Sequence, residues 1–103
     1  MTEHTFFNVI TLPDNDETLA LEAWAAVGTW MEQQPGFLGS TLYRNRMNPK
    51  ILINKGRYES EEAFLAAASS PEFKSLSQKL TDLGVKRIAG LYDTLREFGA
   101  GGN

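Results

Sequence analysis

Two hydrogen-bonding side chains flank a glycine in the run Asn54-Lys55-Gly56-Arg57-Tyr58. In an extended chain successive side chains alternate faces. Leu52, Asn54, Gly56 and Tyr58 then share one face, and Ile51, Ile53, Lys55 and Arg57 the other. Gly56 leaves a gap over the sheet between an amide and a phenol. That is the floor of a small-molecule pocket, or else an ordinary strand with a bulge at the glycine. As a pocket floor, Asn54 and Tyr58 are hydrogen-bond donors for an oxygen that gains charge during a reaction. Ser77 follows Phe73 by one helical turn on the same apolar stripe as Leu80. It either bonds back to the Phe73 carbonyl or projects into the pocket. Trp24 and Trp30 either pack in the core or wall an aromatic ligand.

The elements that must position these groups follow from pattern. Residues 5–12 are rich in β-branched and aromatic types and read as a strand. Asp14 with Glu17 suggests a capping box for a helix over about residues 16–33 that ends at Pro35-Gly36. Its apolar arc exceeds half the circumference, with Trp24 near the middle. Residues 37–45 form a second strand, with Phe37, Thr41 and Tyr43 on one face and Leu38, Leu42 and Arg44 on the other. After a hairpin loop at 46–50 comes a third strand at 51–58. Ser60 caps the next helix, with Glu61 and Glu62 at its positive end. Ser70-Pro71 restarts that helix, since proline is tolerated at its first position, and it stops near Gly84. Residues 88–98 form the last strand and 99–103 a flexible tail.

The order βαββαβ is α+β, a ferredoxin-like four-stranded antiparallel sheet with both helices on one face. One domain over residues 1–98 is expected. The opposite sheet face, including Ile51 and Ile53, has nothing left in the chain to cover it. Large exposed apolar patches mark interfaces, so stacking of two sheets in a homodimer is expected.

Composition narrows the function. The 103 residues are 42% hydrophobic and 11% aromatic, enough for a packed core. The net charge of −3 and the lack of a basic block argue against nucleic acid as a partner. There is no cysteine and one histidine, His4, so thiolate chemistry and histidine-rich metal sites are excluded. Neither a membrane-length apolar run nor a signal peptide is evident, and the cytoplasm is the expected compartment.

The runs Phe7-Asn8-Val9, Gln34-Pro35-Gly36-Phe37-Leu38, residues 54–64 and Ser70-Pro71-Glu72-Phe73 resemble the antibiotic biosynthesis monooxygenase family in order and spacing. That resemblance implies a dimeric α+β barrel. One branch of the family oxidises aromatic polyketide anthrones to quinones without a cofactor. Asn54 falls on that branch's asparagine, Tyr58 on its tryptophan, Phe64 on its tyrosine and Ser77 on its arginine. The loss of the arginine implies a weaker hold on an anion. A second branch degrades haem. Asn8 matches its asparagine, but Ala67 replaces a tryptophan and Ser77 falls in the axial histidine slot. A serine hydroxyl is not a credible axial ligand for haem iron, which argues against haem degradation.

The resemblance therefore implies a cofactor-independent monooxygenase acting with O2 on a small aromatic of anthrone or hydroquinone type. Asn54 and Tyr58 are the expected catalytic pair. Asn8, Trp24, Trp30, Phe64, Phe73 and Ser77 are the expected substrate contacts. The competing expectations are a non-catalytic ligand-binding or regulatory dimer, and isomerase or cyclase chemistry in the same pocket.

Overall fold

Alternation of side chains along four segments builds the sheet, and two serine caps and a proline set where the covering helices begin. The computed structural model describes residues 4–15 and 17–100. The strands are β1 (His4–Thr11), β2 (Phe37–Arg44), β3 (Ile51–Tyr58) and β4 (Lys86–Tyr92). The helices are α1 (Thr18–Met31), α2 (Glu61–Ala68) and α3 (Pro71–Asp82). All neighbours are antiparallel and the sheet order is β2-β3-β1-β4. The fold is the expected ferredoxin-like α+β arrangement.

Local chemistry explains the helix starts. The Ser60 hydroxyl accepts the Ala63 N–H at 3.0 Å, and the Ser70 hydroxyl accepts the Phe73 N–H at 3.1 Å. Pro71 opens α3, so the break between α2 and α3 falls where the sequence puts it. The expected capping box at α1 does not form. Glu17 is the N-cap and makes no side-chain cap bond; its carboxylate pairs instead with Arg44 at 3.3 Å. The expected first residue of this helix, Asp16, and residues 101–103 of the expected tail lie outside the described residues.

Two strand expectations need correction. The last strand is two residues earlier than expected at its start and stops at Tyr92 rather than Phe98. Among the described residues strand β1 is its only template, and the ladder closes with Thr5 opposite Tyr92. Beyond it Leu95 is 94% exposed. In β2 a bulge lies between Phe37 and Gly39, so Phe37 pairs with Tyr58 and Gly39 with Arg57. The extra residue reverses the parity. Phe37 thus shares the helix-side face with Ser40 and Leu42, not the opposite face with Thr41 and Tyr43. Gly56 pairs regularly with Phe6 and Ser40, so the bulge sits on the neighbouring strand and not at the glycine.

The buried core cluster includes Ile10, Leu12 and Leu52 of the sheet side with Ala20, Leu80 and Val85, each at most 5% exposed. Ile10 and Leu80 are the largest side chains with almost no exposure. Burial of such side chains contributes about 1.5–3 kcal/mol each. This filled part anchors the helices and lets the other end of the layer stand partly open.

Candidate functional site

The open end is a cavity of about 400 Å³ between the sheet and the three helices. Register places its floor in rows. Leu42, Asn54, Asn8 and Ala89 lie side by side across the four strands, and so do Ser40, Gly56, Phe6 and Leu91. Asn8 and Asn54 are therefore direct cross-strand neighbours, a separation of about 4.5–5.5 Å between Cβ atoms. Two amides meet in the middle of the floor.

Gly56 makes the room between Asn54 and Tyr58. A Cβ there would sit 3.4 Å from Tyr58 Cε2 and 3.7 Å from Phe6 Cδ1, so any side chain would grow into the space the rings border. On the helix side Trp24, Val27 and Gly28 of α1 form the roof. Phe64 of α2 and Phe73 and Ser77 of α3 close the wall.

Ring contacts fix the wall. Phe6 and Phe64 are 4.9 Å apart, Phe64 meets Tyr58 at 5.3 Å and 78°, and Tyr58 meets Phe37 at 5.6 Å and 70°. Such edge-on pairs each add about 0.5–1.5 kcal/mol beyond burial. Tyr58 is only 4% exposed. Burial pushes its hydroxyl up to about 12, because the phenolate would lose its hydration. At neutral pH the group is a neutral donor on a ring held between Phe37 and Phe64.

Asn8 is 6% exposed, and its Oδ1 has no hydrogen-bond partner among the described residues. Ser77 lines the cavity, and no bond from its hydroxyl to the Phe73 carbonyl is found among the described residues. Its own carbonyl is engaged by the Thr81 hydroxyl and by Arg87. Trp30 does not line the cavity; it packs behind Phe73 with ring centres 6.0 Å apart. Seven expected residues thus come together: Asn8, Trp24, Asn54, Tyr58, Phe64, Phe73 and Ser77. The eighth buttresses one of them.

Arg87 was not anticipated. It enters the cavity from β4, beside Ile10 and diagonal to Asn8. Its Nη2 donates to the Ser77 carbonyl at 3.2 Å and to the Thr81 hydroxyl at 3.1 Å. Burial lowers the pKa of the guanidinium from its ordinary value, yet arginine keeps its proton in proteins. The signal was present in the sequence: a strand begun at Lys86 puts Arg87, Ala89 and Leu91 on one face. An origin at Ile88 leaves the arginine outside the strand.

Among the described residues no three His, Cys, Asp or Glu side chains gather as metal ligands. No helix among them is long and apolar enough to cross a membrane.

Comparison with known proteins agrees with this architecture. The family model for antibiotic biosynthesis monooxygenase matches residues 5–79. No curated protein matches. Among solved structures, the chain is similar to SnoaB, a cofactor-independent oxygenase from Streptomyces nogalater. Identity is 25%, with 94% of this chain and 97% of that chain covered and a TM-score of 0.82. It is also similar to a candidate monooxygenase from Shewanella loihica. That pair is 28% identical, with 93% and 97% of the two chains covered and a TM-score of 0.73. A conserved protein from Methanosarcina mazei shares the fold at 15% identity and a TM-score of 0.79, over 89% of this chain and 92% of that one.

Proposed function

The chain belongs to the antibiotic biosynthesis monooxygenase family, and on that premise we propose that it oxidises a small aromatic of anthrone or hydroquinone type with O2, without a cofactor. The observation that carries this is the pair of adjacent amides, Asn8 and Asn54, on the floor of an aromatic-walled cavity of about 400 Å³. A cavity of that size suits a compact ring system, with polar groups fixing its orientation. The likeness to a cofactor-independent oxygenase at 25% identity supports the same reading.

The chemistry asks little of the protein. Dioxygen is a triplet and reacts slowly with closed-shell molecules until one electron moves. An electron-rich enolate or phenolate supplies that electron. For an anthrone, the superoxide and substrate radical then recombine with formation of a C–O bond. Loss of water from the hydroperoxide breaks the O–O bond and leaves the quinone carbonyl. One oxygen atom enters the product and the other leaves as water. The methylene carbon gives up the four electrons that dioxygen takes. The site must favour the deprotonated substrate, orient it and exclude water. Asn54 and the neutral Tyr58 hydroxyl donate to the developing oxyanion, and the rings of Phe64, Phe73 and Trp24 hold the substrate flat.

The working form in this proposal is a homodimer. The sheet face away from the helices carries Phe7, Val9, Ile53, Ile88 and Tyr92, and Ile88 is 70% exposed. Phe7 and Tyr92 already meet edge-on at 5.4 Å there. A second copy stacked on that face would bury it.

Oxygen uptake with anthrone, in buffer free of flavin and metal, tests the catalytic reading. Wild type is expected to consume oxygen, and Asn54→Ala to lower the rate by on the order of 10²–10³, about 2.7–4 kcal/mol of barrier. Its melting temperature should stay near wild type. Binding of anthrone without oxygen uptake would instead identify a ligand-binding dimer. Rearrangement without oxygen uptake would identify isomerase chemistry.

A further inference from the structure

Among the described residues lining the cavity, Arg87 is the only charged one. Its guanidinium is half committed. Nη2 is tied to two oxygens of α3, the Ser77 carbonyl and the Thr81 hydroxyl, which fixes the plane of the group. Nη1 is buried and without a hydrogen-bond partner among the described residues. A buried donor left open is costly, and more so when charged. Asn8 Oδ1 is the second buried polar atom in that condition.

The two open atoms belong to one place. Asn8 faces Ala89 across the β1–β4 ladder, and Arg87 is the next residue of β4 on that face. Diagonal neighbours of this kind are within reach of long side chains. An unpartnered charged donor and an unpartnered neutral acceptor thus come from diagonal positions on the sheet face that floors the cavity. Their complement is the edge of a ring bearing an anionic oxygen next to a hydroxyl.

We propose that Arg87 selects the ionised form of the ligand, its free Nη1 N–H binding an anionic oxygen on an aromatic ring while Asn8 Oδ1 accepts from an adjacent hydroxyl. The ligand class is the monoanion of a dihydroxyarene or a hydroxyaryl ketone. This assignment rests on the cavity being the aromatic-binding site proposed above. It moves anion recognition from α3, where Ser77 offers no charge, to β4. It also links ligand charge to the α3–β4 junction, because the same guanidinium holds both.

Alizarin is a suitable probe, a dihydroxyanthraquinone that changes colour when a hydroxyl ionises and that needs no turnover. Anthraquinone is its counterpart without hydroxyls. Wild type should bind both, and bound alizarin should ionise at least one pH unit lower than free alizarin, a tenfold preference for the anion. Arg87→Met should abolish that shift and lose at least tenfold in affinity for alizarin relative to anthraquinone at a pH where free alizarin is ionised. Arg87→Lys should retain part of it. A purely structural tether would change stability in Arg87→Met but leave the probe's ionisation unmoved, and that result overturns the assignment. A water bridging Asn8 and Arg87 gives the same unmoved ionisation and overturns it too. If Arg87→Met does not fold, Arg87→Gln decides, because it keeps an N–H for the Ser77 carbonyl and removes the charge. It should erase the shift, and a persisting shift counts against the proposal. Failure of wild type to bind either probe would sink the aromatic-cavity reading and this assignment with it. Binding of both probes with no Arg87 dependence would sink this assignment alone.

Discussion

The two faces of one sheet are built from alternate residues of the same strands, and they have opposite characters. The helix-side face carries Asn8, Asn54, Tyr58 and Arg87, of which Asn8 and Tyr58 are buried and Asn54 and Arg87 half-buried. The bare face carries Ile53, Ile88, Tyr43 and Tyr92, all large and exposed. Buried polar groups interrupt the apolar inner layer while large apolar groups stand exposed outside, at these positions an inversion of the ordinary rule. The inversion makes sense if the inner face serves a ligand and the outer face another copy of the chain. Each face then solves a different burial problem with the same backbone.

The largest expected effect comes from breaking the outer face. Ile53→Asp with Ile88→Asp places two carboxylates where the interface is proposed. Wild type should sediment at about twice the 11.5 kDa of one chain, and the double variant at a single chain mass with its helical signal retained. A wild-type protein that runs as a monomer would remove the outer face's proposed role and with it half of the contrast.

Next in size is the filled end of the inner face. Ile10 is 1% exposed, and Ile10→Ala should cost about 2–5 kcal/mol in urea unfolding. A loss below about 1 kcal/mol would mean that the packed end and the cavity end are not distinct.

The smallest effect sharpens the cavity end. The Tyr58 hydroxyl ionises at about 12, above its ordinary value of 10. The folded chain therefore keeps a proton that the unfolded chain releases between those values. Stability from this group is complete below about pH 10 and is lost as pH rises toward 12. At 1.36 kcal/mol per unit this is on the order of 2–3 kcal/mol. Tyr58→Phe should unfold less steeply with pH across that window, as measured by denaturant midpoints on both sides of it. Equal slopes for the two proteins would show the hydroxyl to be solvated.

Much of this was written in the sequence. Alternation in residues 51–58 put Asn54, Gly56 and Tyr58 on one face, and Ser60 and Ser70-Pro71 gave the helix starts that the structure has. The adjacency of Asn8 and Asn54 was not readable, because register between strands is a tertiary property that one strand's pattern leaves open. Phe37 was placed on the wrong face for a related reason. A bulge changes parity without leaving a distinctive residue type beyond Gly39. Arg87 was missed because strand ends are set by the partner's length, here that of β1, and not by local composition.

The bulge at Leu38 has a consequence for how many copies can assemble. Strand β2 is an edge of the sheet, and unguarded edges recruit further strands without limit. Here the ladder is broken near the start of the edge, where Gly39 adopts φ +152°. A Cβ at that residue would come within 2.7 Å of Arg57 Nη2. A foreign strand laid along β2 would meet carbonyls and amides out of step with its own, so edgewise growth into fibres is discouraged. In the proposed dimer, stacking through the bare face has no such runaway: the opposite face of each copy is roofed by helices, so association by this route would stop at two.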